Sequence, residues 1–505
     1  MEKIYVYPNQ KLNRIEPALF GHFVENAPGN IHSGIFQEGH PLSDVNGFRT
    51  DVLEAVKRVK PTQIRWGGNF SSCYNWMDGV GPKEQRPRRF NFAWNCEEDN
   101  HFGTAEFIEL CRQLDATPMI CANMGSGTAL EAMNWIEYCN GTGSTYYADL
   151  RRQHGFEEPF NVHYWSLGNE MYGGWQFGNL TVDQYIEKAI HFATAMKKVD
   201  PTIHLTACGL ETDPIWNMKV ARALAKEDTF ISPGNWLNAI SLHYYPIGCH
   251  SAFTNAGYEQ RMSMGQFFHE RTMAMRSAIV AGTDDPLSPI EIAWDEWNLV
   301  GQPDGTEHSM ENILWSSLVL NSFIRDSAYV KRANYTFFVN WFGPIQTSDE
   351  GIRLEAEMML FEMYQGAIGD SLISLRQEGE TIQVEMPLDD KRLQQQIVRE
   401  KTTALREIHY IDAVASGKND ENIFSLFLTN LHKDEDTQVQ ISIMEAAEFS
   451  DATLISFSSN NLSARGYPGI SDDVFLKTCD VSISNNTLTV TLPKHSVSVI
   501  KCFRK

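Results

Sequence analysis

Residues 161–176 read NVHYWSLGNEMYGGWQ. The β-branched and aromatic lead-in fits a pleated, half-buried strand. It runs straight into Gly168-Asn169-Glu170, with two more glycines at 173 and 174. A carboxylate therefore stands where a strand ends, beside an amide and in a glycine-loosened turn. Side chains at strand ends carry the chemistry of α/β folds, so the strand's companions decide the architecture.

Seven further segments have strand character: 18–24, 62–68, 117–125, 203–209, 238–245, 289–297 and 333–341. Stretches with apolar residues three and four apart lie between most of them, as at 51–60, 104–114, 182–199 and 311–324, and this spacing predicts helices. Eight strands alternating with helices over residues 16–371 predict a (β/α)8 TIM barrel with enlarged loops. A doubly wound open sheet is the alternative, but it usually has fewer strands and the chain lacks a dinucleotide fingerprint. Beyond residue 371 the texture becomes short and alternating: SLISLRQ, TIQVEMP, QQIVRE, IFSLFLTNL, TQVQISIM, DATLISFS, VSISNNTLTVTLP and SVSVIKCF, parted by polar turns. This predicts an all-β sandwich, jelly-roll-like, over residues 372–505. The alternating KIYVYPNQKLNRI at the start is expected to join it, so residues 1–15 belong to the sandwich domain.

Composition narrows the function. The 505 residues carry 42 Lys and Arg against 64 Asp and Glu, a net charge of −22. Nucleic acid would be repelled and an anionic membrane hardly attracted. No run of about eighteen apolar residues is present to span a bilayer. The first residues lack the apolar core of an export signal, and the nine cysteines are scattered without a Cys-x-x-Cys pair. A cytoplasmic protein with reduced thiols is expected. The fifteen histidines show no HExxH spacing and no GxxxxGK[ST] loop occurs, so neither a metal nor a nucleotide cofactor is expected.

In a barrel of this kind the strand ends share one mouth. The fourth strand ends in Asn169-Glu170 and the seventh in Asp295-Glu296. Two carboxylates facing one cleft is what glycosidic cleavage requires: one protonates the leaving oxygen, the other attacks or stabilises the anomeric carbon. Glu25-Asn26, Asn69, Asn123, His243, Tyr245 and Asn340-Trp341 fall at the other strand ends. Amides and carboxylates hydrogen-bond sugar hydroxyls, and aromatic faces pack on C–H patches. Each also has a structural reading: His243 as a satisfied core histidine, Asn123 as a turn cap, Trp341 as packing.

The segments GHFVEN (21–26), RWGGNF (65–70), YNWMDGVGP (74–82), NHFGTAEFIELC (100–111), NMGSGTALEAMNWIEYCN (123–140), WSLGNEMYGGWQFG (165–178), SLHYY (241–245) and DEWN (295–298) resemble family 51 of the glycoside hydrolases, chiefly α-L-arabinofuranosidases. The resemblance spans essentially the whole barrel. It implies a retaining double displacement that releases terminal α-L-arabinofuranosyl units, with Glu170 as general acid/base and Glu296 as nucleophile. It also implies sugar contacts from Glu25, Asn69, Asn169, His243 and Tyr245, no cofactor, and a homo-oligomer, commonly a hexamer. The chain departs from the family pattern at Trp66-Gly67, where a proline is missing, at Val300, where a tryptophan is common, and in RLEAEMMLFEMY (353–364). Other retaining activities on the same scaffold (galactofuranosidase, β-xylosidase, endo-β-1,4-glucanase) are the enzymatic alternatives, and an inactive carbohydrate-binding protein is the non-enzymatic one.

Overall fold

The computed structural model describes residues 2–225, 236–246, 257–300, 306–386, 404–418, 423–445 and 448–504. Eight parallel strands close into a barrel in chain order: Gly21–Val24, Gln63–Trp66, Thr117–Ala122, Tyr164–Leu167, His204–Cys208, Ala239–Tyr244, Glu291–Trp297 and Val330–Thr336. Most are shorter than their sequence segments, because the polar residues at the mouth belong to loops. The eighth strand starts earlier than expected and stops at Thr336, which leaves Asn340 and Trp341 in the loop beyond it.

The expected helices form at Thr50–Val59, Thr104–Gln113, Val182–Val199 and Met310–Arg325. Val182–Val199 shows the local logic. Thr181 accepts from the Gln184 backbone N–H and the Gln184 side chain answers to the Thr181 N–H, a reciprocal cap. Tyr185, Ala189, Phe192, Ala193 and Met196 then form one buried stripe against the barrel.

Met310–Arg325 is buried on almost every side, because it lies between the barrel and a second, β-rich unit. Ser317 Oγ meets Thr429 Oγ1 at 2.8 Å, and Asn321 donates to Asp412 at 2.7 Å. That unit is a nine-stranded sheet in the spatial order Val474–Ser482, Phe449–Ser459, Ser496–Arg504, Ile423–Asn430, Ile411–Gly417, Ser371–Glu378, Glu2–Arg14, Thr437–Ile443, Thr487–Leu492. The N-terminal strand is in it, antiparallel to Ser371–Glu378 and parallel to Thr437–Ile443. Residues from distant strands, among them Ile4, Ile411, Leu426, Ile441, Val490 and Ile500, share one core, so the sheet is rolled over on itself. TIQVEMP does not join it. Thr381–Met386 pairs with Ala404–His409 as a separate hairpin tied to the barrel side by two bonds between Arg406 and Glu270, 2.9 and 2.8 Å. The predicted strand QQIVRE (395–400) lies outside the described residues.

Candidate active site

The strand ends that carry Glu25, Asn69, Glu170, Tyr245 and Glu296 meet at the C-terminal mouth of the barrel, where these residues line a cavity of about 220 Å³. Phe23, Trp94, Trp175, Phe337 and Trp341 supply much of the apolar wall.

Beneath it lies Arg65, fully buried on the second barrel strand. A guanidinium there has no water to solvate it and must be paired. It reaches Glu296 at 2.7 Å, Asp295 at 3.3 Å and Asn169 at 2.8 Å. Successive residues of a strand normally face opposite sides, yet Asp295 and Glu296 both meet Arg65. The reason is a register irregularity between Ala293 and Glu296 against the neighbouring strand, which re-aims a side chain as a bulge does.

Glu170 arrives differently. Gly168 takes φ +78° and Glu170 itself φ +42°, so the chain turns back over the mouth as soon as its strand ends. A Cβ at Gly168 would stand 2.8 Å from Met171, which reserves the position for glycine. Trp175 Nε1 donates to one Glu170 oxygen at 2.5 Å, and His243 Nδ1 lies 3.1 Å from the other. One oxygen of Glu170, one of Glu296 and a ring nitrogen of His243 all fall within 4.8 Å of one another.

His243 Nε2 contacts Asp295 at 3.0 Å. Burial opposes charge on this ring, but Glu296, Asp295 and Glu170 outweigh it and push it up to about 10. In its protonated form the ring donates to both Glu170 and Asp295. Burial also works against charge on Asp295, yet Arg65 and His243 hold its carboxyl below the ordinary range. Tyr245 donates to Glu296 at 2.7 Å and lies 2.9 Å from Thr336 Oγ1; burial pushes its phenol far above the usual range.

Glu25 is the exception among the carboxyls. Burial, helped by the charge of Glu296, pushes it up to about 8, although Phe70 N–H (2.9 Å) and Trp94 Nε1 (2.8 Å) both donate to Oε1. The shift favours the protonated acid, which can donate as well as accept. Gly68, at φ +91°, makes room for it: a Cβ there would lie 2.4 Å from the Glu25 carboxyl.

The family comparison decides what this pocket belongs to. Residues 55–255 match the Alpha-L-arabinofuranosidase 1 domain, and residues 295–496 match the Alpha-L-arabinofuranosidase C-terminal domain. The chain is 39% identical over 366 residues to "Alpha-L-arabinofuranosidase C" of Emericella nidulans, covering 69% of this chain and 71% of that one. The chain belongs to the α-L-arabinofuranosidase family, GH51. It is a glycoside hydrolase. It is also 28% identical over 512 residues to the "Intracellular exo-alpha-(1->5)-L-arabinofuranosidase" of Halalkalibacterium halodurans, covering 98% of this chain and 97% of that protein. The solved GH51 α-L-arabinofuranosidase of Thermotoga petrophila superposes with a TM-score of 0.87 at 34% identity, over 99% of this chain and 100% of that one.

Within this GH51 fold the polar residues expected at the strand ends take different places. Asn169 and His243 are buried just behind the lining, and their polar atoms engage Arg65, Gln176, Glu170 and Asp295. Asn123 does not reach the pocket. Its amide oxygen accepts from the Gly125 and Gly127 N–H groups at 3.1 Å each, and its nitrogen donates to the Tyr74 carbonyl at 3.0 Å, so it organises its own loop. Asn26 likewise holds structure, receiving Trp66 Nε1 at 2.7 Å and donating to Glu98 at 3.0 Å. Asn340 is spent on Gly29 and Thr347. Of the regions that depart from the family pattern, Val300 does line the pocket. The 353–364 segment does not. It forms the buried helix Ala356–Gln365, whose Glu357 meets His308 at 3.1 Å, and His308 in turn lies 3.2 Å from the Trp341 carbonyl.

Arg65, Trp94, Trp175 and Thr336 are site residues that the sequence reading did not single out. Arg65 carried a usable signal: a lone cation inside TQIRWGG, a segment predicted to be a barrel strand, requires anions opposite it wherever its side chain is buried.

Proposed function

We propose that this enzyme is an exo-acting, retaining α-L-arabinofuranosidase that removes terminal arabinofuranosyl units from arabinan, arabinoxylan or their oligosaccharides. The observation that carries the mechanism is the Glu170–Glu296 pair, with one oxygen of each within 4.8 Å of the other across one pocket. Retaining glycosidases hold their carboxyls about 5–5.5 Å apart, whereas inverting enzymes need roughly 6.5–9.5 Å to admit a water. Glu296, with hydrogen bonds from Arg65 and Tyr245, is the nucleophile. Glu170, steadied by Trp175 and His243, first protonates the leaving oxygen and then deprotonates the water that releases the sugar.

Glu25, Asn69, Asn169, His243 and Tyr245 are proposed to hold the bound sugar, His243 through its contact with Glu170. Exo cleavage matches the name of the Halalkalibacterium relative. The division into a catalytic unit of residues 16–371 and a β-sandwich of residues 1–15 plus 372–505 belongs to the same reading. So does a homo-oligomer, hexameric by family resemblance. Cytoplasmic location is supported by eight free thiols among the described residues and by the "intracellular" name of the Halalkalibacterium relative.

A panel of nitrophenyl glycosides, run beside carboxymethylcellulose, tests the activity. Fast turnover of the α-L-arabinofuranoside is expected. Preferential turnover of the xyloside, galactofuranoside or cellulose derivative would replace this reading with one of the alternatives.

A further inference from the structure

The loop after the second barrel strand carries a short hairpin, Arg89–Asn91 paired with Cys96–Glu98. It is firmly held. Arg86, just before it, makes two bonds to Glu106 at 3.0 Å each and reaches the Gly81, Asn100 and His101 carbonyls. Buried Asn91 donates to the Asn26 carbonyl at 2.8 Å and accepts from the Ala93 and Trp94 N–H groups at 3.1 and 3.3 Å.

Asn91 is turned inward, and its neighbours are left outside, Phe90 on the strand and Phe92 in the turn that follows it. They are 50% and 67% exposed and meet edge to face at 5.1 Å. Two touching rings on a rigid support offer an apolar face to a ligand. They flank a cavity of about 420 Å³. Its lining is not purely apolar: Asn75 and Asn100 contribute, and at one side Arg89 pairs with Asp78 through bonds of 2.8 and 3.2 Å.

Two elements link this cleft to the catalytic pocket, although the two share no lining residue. Trp94, in the turn of the same hairpin, donates to Glu25 and lines that pocket. Phe70, whose N–H also bonds Glu25, lines the outer cleft. We infer that the Phe90–Phe92 cleft is a second carbohydrate subsite, which holds the main chain of a neutral polysaccharide while one of its side branches occupies the catalytic pocket. Ring faces with interspersed amide, carboxylate and guanidinium groups match alternating C–H and hydroxyl surfaces of sugars. A neutral polymer also escapes the repulsion that a net charge of −22 imposes on anionic partners. The inference rests on the arabinofuranosidase reading for the branch and extends it to the polymer.

The test is the double variant Phe90→Ala/Phe92→Ala, which leaves Asn91, Arg86 and Trp94 in place. Turnover is measured on nitrophenyl α-L-arabinofuranoside and on branched arabinan or arabinoxylan, and binding by retardation in gels containing each polymer. Unchanged turnover of the small substrate is expected, with an about tenfold loss of kcat/KM on a polymer and of retardation by it, equivalent to about 1.4 kcal/mol. Equal behaviour of parent and variant on both polymers would overturn the subsite. So would a change confined to native mass by light scattering, which would assign the rings to subunit contact. Failure of the arabinofuranosidase reading is separately visible: the parent would not turn over the nitrophenyl arabinofuranoside, while retardation would still decide whether the cleft binds polymer.

Discussion

Glu25→Gln should make the protein more resistant to alkali. The Glu25 carboxyl is pushed up to about 8 from an ordinary 4.5, first by burial and then by Glu296. The folded protein therefore keeps this proton over a range where the unfolded chain has lost it. Stability from this group is present in full below about 4.5 and is lost as pH rises toward 8, because there the folded state binds more protons than the unfolded one. Between pH 5 and 8.5 the loss is on the order of 4 kcal/mol at 1.36 kcal/mol per unit. Glutamine preserves the acceptor for Phe70 N–H and Trp94 Nε1 and does not titrate. Thermal unfolding of parent and variant at pH 5, 7 and 8.5 should give curves that converge in acid and separate in alkali, the variant unfolding higher by on the order of 5 °C at pH 8.5. His243, raised to about 10, contributes stability that is full below about 6.5 and lost as pH rises toward 10, but both proteins share it, so it leaves the difference unchanged. Parallel curves at all three pH values would refute the claim that Glu25 is neutral in the folded pocket.

Three further outcomes follow from the same geometry. Arg65→Leu removes a charged hydrogen bond to Glu296, worth about 1.5–3 kcal/mol, so kcat/KM on an aryl arabinofuranoside should fall roughly tenfold to 150-fold; Arg65→Lys should recover part of it, because lysine restores the charge without the fork that spans Glu296 and Asn169. Wild-type kinetics in a folded Arg65→Leu protein would contradict this. Glu170→Ala should slow turnover of natural oligosaccharides by about 10²–10⁴ and an activated aryl glycoside far less, with azide restoring rate in the missing carboxylate's place; equal losses on both substrates would remove Glu170 from the acid's role. Glu296→Ala should abolish turnover on every substrate, and residual activity near the parent's would reassign the nucleophile.

Much of this was readable in the sequence because the barrel converts chain order into spatial position. Once Tyr164–Leu167 and Glu291–Trp297 are strands of one closed sheet, Glu170 and Glu296 have to share a mouth. The fold class and its two halves followed from periodicity alone. Less legible was which polar residue at a strand end faces the substrate. Asn123 and Asn169 each follow a strand, yet Asn123 closes its own loop while Asn169 meets Arg65. The difference is one of loop conformation, to which alternation is blind. The irregularity that brings Asp295 and Glu296 together on Arg65 was equally hidden, since a regular strand would have sent one of them away. In the β-rich unit, alternation announced strands but not their partners. The first strand lies between Ser371–Glu378 and Thr437–Ile443, and Thr381–Met386 pairs outside the main sheet, because register there depends on contacts between distant segments.

Proton NMR of the sugar released in the first turnovers tests the two-carboxylate account most directly. With one oxygen of Glu170 and one of Glu296 within 4.8 Å of each other, the anomeric configuration should be kept in the first-formed product, before mutarotation. Initial appearance of the inverted anomer would show that water, not Glu296, attacks the anomeric carbon.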